Sequence, residues 1–129
     1  MSKQVIHTDS APAAVGPYSQ AIAVNGEARL VFLSGQIGLV PETGELVSED
    51  FEPQVRQAFA NLQAVIQKAG GTLENVVKLT LFLTDLSRFG TVSGIMSELF
   101  PQPFPARSTV EVSGLPKGAL FEVEAILAL

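Results

Sequence analysis

No cysteine occurs in the 129 residues, which rules out disulfides, a thiolate nucleophile and thiolate-held metal. Histidine is represented only by His7 and tyrosine only by Tyr18. His7 lies far in sequence from any plausible nucleophile, so a serine triad built on it is not expected. No three or four His, Asp or Glu residues recur at ligand spacing, and neither Gly-x-Gly-x-x-Gly nor a Walker pattern is present; no metal, nucleotide or other cofactor is expected. No apolar stretch approaches the roughly 18 residues of a membrane span, and Met1-Ser2-Lys3-Gln4 lacks the apolar core of a secretory signal. The expected location is cytoplasmic, with no membrane partner. Basic residues are few: Lys3, Arg29, Arg56, Lys68, Lys78, Arg88, Arg107 and Lys117 are scattered along a chain of net charge −5. A polyanion is held by a concentrated basic face, so nucleic acid is not the expected partner.

What the chain does have is apolar mass. Hydrophobic residues make up 47% and the mean hydropathy is +0.33, enough for one compact domain, residues 1–129, with a real core. Residues 3–7 read as a first strand, and 11–20, with Pro12, Gly16 and Pro17, as an ordered loop. Strands over 21–24 and 28–34 flank Asn25-Gly26, a hairpin signal. A surface loop over 38–50, with Pro41-Glu42-Thr43-Gly44 as a turn, leads into a helix. Pro53 suits that helix's first turn and Gly70-Gly71 its stop. Val55, Phe59, Leu62, Ile66 and Ala69 form one apolar stripe between them. Residues 76–83 are apolar almost throughout and predict a strand covered on both faces. A second helix covers 89–99, ended by Pro101, Pro103 and Pro105.

The order β-β-β-α-β-α-β-β predicts an α+β fold in which two helices pack on one face of a mixed six-stranded sheet. Two helices can cover only one face. Leu30, Phe32, Leu120 and Ile126, or their alternation partners, then leave apolar area on the other. Burying one such side chain is worth roughly 1.5–3 kcal/mol, which points to self-association and to a cleft between subunits as the place for polar residues.

The last two strands carry charge where a core would be apolar. In Phe104-Pro105-Ala106-Arg107-Ser108-Thr109-Val110-Glu111-Val112, Arg107, Thr109 and Glu111 share one face. In Phe121-Glu122-Val123-Glu124-Ala125, the two glutamates share a face with Leu120 and Ile126. Pairing of these strands across Ser113-Gly114-Leu115-Pro116-Lys117-Gly118 would set a guanidinium and a carboxylate in one partly dry pocket, suited to holding an anion and moving a proton beside it. Pattern alone leaves Arg107 open between a carboxylate clamp and half of an ion pair with Glu111, Glu122 or Glu124. It leaves Glu122 and Glu124 open between acid/base groups and solvated edge carboxylates. Tyr18 is either a packed loop ring or a substrate contact. Ser34 is either a turn residue or, with Gly35, a place where a ligand reaches backbone N–H groups.

Gly16-Pro17-Tyr18-Ser19-Gln20, Ser34-Gly35-Gln36, Pro105-Ala106-Arg107-Ser108 and Glu122-Val123-Glu124 together resemble the RidA/YjgF family of enamine/imine deaminases, in order and across essentially the whole chain. The resemblance implies a chorismate-mutase-like α+β fold and a homotrimer with active sites between subunits. It implies a cofactor-independent hydrolase of C–N bonds acting on a small carboxylate-bearing substrate, an imine or enamine of the 2-aminoacrylate or 2-iminobutanoate type. Arg107 would hold the carboxylate and Glu122 would position and activate water. The backbone around Thr109 and Gly35, with Ser34 and Tyr18, would complete the pocket. Thr109 stands where many relatives have cysteine, Ser93 where asparagine is frequent, Met96 where an aromatic is, and Phe121 where an aliphatic residue is usual. Two other readings are a ribonuclease or translation inhibitor, as some relatives are described, and a small-carboxylate binding module without turnover.

Overall fold

A computed structural model describes residues 2–129; Met1, at the head of the segment read above for a signal, lies outside them. The elements follow the expected order: β1 (Ser2–Ile6), β2 (Ala21–Asn25), β3 (Leu30–Gln36), α1 (Phe51–Ala69), β4 (Val76–Leu83), α2 (Phe89–Leu99), β5 (Ala106–Glu111) and β6 (Phe121–Ala128). All six strands form, but their ladders divide. Four make a sheet in the order β3-β6-β4-β5, with β4 and β5 parallel and the other pairs antiparallel. The antiparallel pair β1-β2 abuts the β5 edge through one parallel bridge, Ser19 to Ala106.

The α1 stripe does what its period requires. Val55, Phe59, Leu62 and Ile66 are fully buried against Phe121, Val123 and Leu127 of β6. Phe59 meets Phe100 edge-on at 5.8 Å between centroids and Phe121 at 5.7 Å. The helix stops at Gly70, whose φ of 97° few other residues adopt cheaply, while Gly70 N–H donates to Gln67 O and Gly71 N–H to Ile66 O. Loop 38–50 lies directly on α1. A Cβ at Gly38 would fall 2.7 Å from the Gln54 carbonyl oxygen, so only glycine allows that approach. Gln54 itself is buried and bonded through both its amide nitrogen and its oxygen: it donates to Ser48 O at 2.9 Å and accepts from Leu120 N–H at 2.9 Å. It stitches the loop, α1 and the entrance to β6 together.

Three local expectations are corrected. Asn25-Gly26 turns the chain, with Gly26 at φ 75°, yet β2 pairs with β1 and β3 with β6. Beside β6, Val31 and Leu33 reach the helix-covered core, a gain that the turn signal does not register. Next, β5 and β6 do not pair, because β4 lies between them. The segment joining them passes through a turn in which Lys117 takes φ 58° and donates from Nζ to Gly44 O at 2.9 Å. Finally, β4 is covered on one side only. Leu79, Leu81 and Leu83 are fully buried, whereas Lys78, Thr80 and Phe82 are only half-buried, since both helices lie on the same side.

The opposite face matches the expectation of uncovered apolar surface except at Leu120, which lies just before β6 and packs against the core. Phe32 is 72% exposed and Leu30 50%, with Ile126 paired beside Phe32. Among the described residues no helix is long and apolar enough to cross a membrane.

Gln54 supplies the stability test. Gln54→Leu keeps the volume but leaves Leu120 N–H and Ser48 O unpartnered, so we expect a loss of about 1–3 kcal/mol. Urea unfolding at fixed protein concentration checks it.

Candidate active site

Arg107 is the second residue of β5 and lies opposite Leu79 of β4, which points its side chain to the helix side of the sheet. There its guanidinium carbon sits 4.8 Å from the ring centroid of Tyr18 and 4.8 Å from that of Phe89 at the start of α2. Nη1 lies 3.9 Å from Met96 Sδ. Two aromatic faces and a soft thioether thus hold a planar cation. Tyr18 is placed by its own loop. Its N–H donates to Gly16 O at 2.9 Å, Ser19 N–H donates to Pro105 O at 3.0 Å, and the Ser19 hydroxyl donates to Phe104 O. The Gln20 amide pins the rest, donating to Pro12 O at 2.7 Å and accepting from Thr8 N–H at 2.7 Å.

The ion-pair reading of Arg107 does not hold. The salt bridges among the described residues are His7–Asp9, Arg56–Glu52 and Arg56–Glu98. Glu111 accepts from Leu86 N–H at 3.0 Å and so ties down the turn after β4. Burial lowers the pKa of Arg107, with Tyr18 acting in the opposite sense, but a guanidinium stays charged at neutral pH. The result is a partly buried cation that touches Met96 Sδ through Nη1 and meets no carboxylate among the described residues. Next to it in the alternation, Thr109 Oγ1 is buried with no hydrogen-bond partner.

Glu122 sits elsewhere. It pairs with Phe82 on β4, on the face away from the helices. A bulge between Leu33 and Gln36 brings Gly35 against its carboxylate. Ser34, in the same bulge, is exposed. The Glu122 pKa is raised, first by burial and then by the like charge of Glu124. A carboxyl that holds its proton more tightly than usual is suited to giving and taking one.

The candidates therefore fall into two groups. Arg107, Thr109 and Tyr18 gather on the helix side; Glu122, Gly35 and Ser34 gather on the open side. Within one chain the shared pocket expected from pairing β5 with β6 does not form, because β4 intervenes and its register gives the two charges opposite faces. A hollow of about 350 Å³ between the ends of α1 and α2, lined by Gln63, Gln67, Thr72 and Leu99 among others, contains neither charge. Sequence reasoning missed Phe89; its signal is an aromatic at the first position of α2, in line with Val92, Met96 and Leu99 at i+3, i+7 and i+10, which reads as core rather than as a site residue. His7, bonded to Asp9 at 3.1 Å and exposed, takes no part.

An α+β chain with an aromatic-held arginine at a sheet edge and a proton-retentive glutamate on the open face has the parts of a small-anion enzyme site. The family model described as Endoribonuclease L-PSP matches residues 8–129. Reactive Intermediate Deaminase A of the Arabidopsis thaliana chloroplast is 48% identical over 100% of this chain and 67% of its own length. The human 2-iminobutanoate/2-iminopropanoate deaminase is 43% identical, covering 96% of this chain and 88% of the relative. The crystal structure of RidA from an Antarctic Psychrobacter superposes with a TM-score of 0.76 at 47% identity, over 98% of this chain and 99% of that one. The chain belongs to the RidA/YjgF family.

Carboxyl-carbon NMR should show Glu122 titrating above the ordinary 4.5. Glu124→Gln, which removes the like charge but not the burial, should move it part of the way back. A carboxyl raised in the folded state costs stability once ionised. Its contribution is fullest below the unfolded value and is lost as pH rises through the folded one. Glu122→Gln should therefore raise the melting temperature at neutral pH and flatten its fall across that window.

Proposed function

We propose that this protein is a 2-iminobutanoate/2-iminopropanoate deaminase that hydrolyses reactive enamines and imines of small 2-amino acids to 2-keto acids and ammonia. The observation that carries the reading is Arg107, a partly buried guanidinium clamped by Tyr18 and Phe89 and paired with no carboxylate among the described residues. Likeness to the two named deaminases over 100% and 96% of this chain supports it.

In this mechanism Arg107 binds the substrate carboxylate bidentately and fixes the imine carbon in place. Protonation of an enamine at its terminal carbon gives the iminium. Water adds to the iminium carbon, transferring one proton to the Glu122 carboxylate as the C–O bond forms. The Glu122 carboxyl returns that proton to the carbinolamine nitrogen, the C–N bond breaks as the hydroxyl proton passes back to the Glu122 carboxylate, and ammonia departs to leave the keto acid. The raised pKa of Glu122 suits these transfers. Tyr18 and Ser34, with the backbone at Thr109 and Gly35, complete the pocket, and no cofactor takes part.

Since Arg107 and Glu122 lie on opposite faces of one sheet, the site is assembled from two protomers. The exposed Phe32 face supports self-association, and a homotrimer of one-domain chains acting in the cytoplasm is the form proposed. The family model's description favours RNA cleavage as a second reading. The net charge of −5 and the scattered basic residues weigh against it.

Coupled to a threonine dehydratase, the purified protein should accelerate the loss of 2-iminobutanoate absorbance, and Arg107→Ala should lower kcat/KM by about a hundredfold, as expected for a lost charge-assisted pair. A decay rate equal to buffer would overturn the reading. Arg107→Ala and Glu122→Ala chains, each strongly impaired alone, should regain about one quarter of wild-type activity when unfolded together and reassembled at random. Sites contained within single chains would regain none.

A further inference from the structure

Glu122 carries no hydrogen bond among the influences on its titration, so packing is left to hold its carboxylate. That packing is against Gly35. A Cβ built on Gly35 would overlap Oε2 and lie 2.7 Å from Cδ and 3.1 Å from Cγ of Glu122. The backbone at Gly35 does not take the left-handed conformation that favours glycine, unlike Gly26 or Gly70. Space alone therefore demands glycine here. The space exists because β3 is bulged: the three steps from Leu33 to Gln36 span only the two from Ala125 to Val123 on β6. The extra residue presents bare backbone beneath the acid.

We propose that Gly35 is a positioning residue whose missing side chain forms the seat of the Glu122 carboxylate, holding it toward the open sheet face where the neighbouring protomer's Arg107 delivers the imine. This rests on the deaminase reading but assigns Gly35 a part distinct from any backbone contact with substrate: it acts through Glu122. The atoms that a Cβ would displace are the far end of a flexible side chain, so Gly35→Ala moves the acid and leaves the fold intact. Among the described residues the other charged groups on that face are Glu124 of β6 and Lys78 of β4, and in the proposed assembly the neighbouring protomer's Arg107 faces it as well. Gly35→Ala alters none of the three, so a shift in the titration of Glu122 in this variant reports a change in its own position relative to them.

The experiment compares wild type, Gly35→Ala, Glu122→Asp and the double variant. Gly35→Ala should lower kcat by about tenfold to a hundredfold, the cost of misplacing a catalytic group by about 1 Å. KM should stay within about twofold and the melting temperature near wild type. Aspartate is one methylene shorter and leaves room for the new Cβ, so Glu122→Asp should relieve part of the Gly35→Ala defect, a non-additive cycle. Carboxyl-carbon NMR of Gly35→Ala should show Glu122 titrating closer to the ordinary glutamate value. An unmoved titration, or a kcat loss that Glu122→Asp does not relieve, overturns the proposal. A titration that moves in a protein without deaminase activity would uphold the seat and refute the reaction instead.

Discussion

The placement of β4 between β5 and β6 is the constraint on which the rest of this molecule depends. Its parallel register with β5 puts Leu79 beside Arg107, and its antiparallel register with β6 puts Phe82 beside Glu122. Adjacent residues of a strand face opposite sides. An odd number of steps separates Leu79 from Phe82, so the cation and the acid cannot meet in one chain. The same alternation buries Leu79, Leu81 and Leu83 under the helices and leaves Phe32 exposed, with Phe82 and Ile126 half-buried, on a face that neither helix covers. An exposed apolar surface and the separation of the two charges are thus two consequences of one register.

Each half of the site is held by means that leave its chemistry free. Arg107 is fixed by stacking rather than by an acid, so its hydrogen-bonding edge stays available. Glu122 is fixed by shape rather than by a base. Burial and Glu124 work against its charge, and no cation on its own chain works in favour of it. A carboxylate partner for the arginine, or an arginine partner for Glu122, would have stabilised the folded chain and silenced the site. On the proposed reading, what the fold gives up in local stability at these positions serves affinity for an anion and readiness to exchange a proton.

Much of the architecture was legible because it rests on local periodicity. The α1 stripe, the limits of β4 and α2, and the faces of β5 and β6 follow from spacing alone. Asn25-Gly26 misled because a turn motif states that the chain bends, whereas Val31 and Leu33 decide where β3 goes by burying beside β6. Phe89 escaped notice because its partner, the Arg107 guanidinium, is remote in sequence. The role of Gly35 was equally hidden: a glycine demanded by another residue's carboxylate looks, in sequence, like any glycine near a turn.

The sequence by itself determined the elements, the core stripe, the absence of thiol chemistry and, through four short motifs, the family. Those are properties of composition and of neighbours a few residues apart. Only the tertiary structure decided which strands pair, that Arg107 meets aromatic rings instead of a carboxylate, and that Glu122 lies on the far side of the sheet. Strand order is set by the total apolar area that a pairing buries, and that sum is taken over residues which no local pattern brings together.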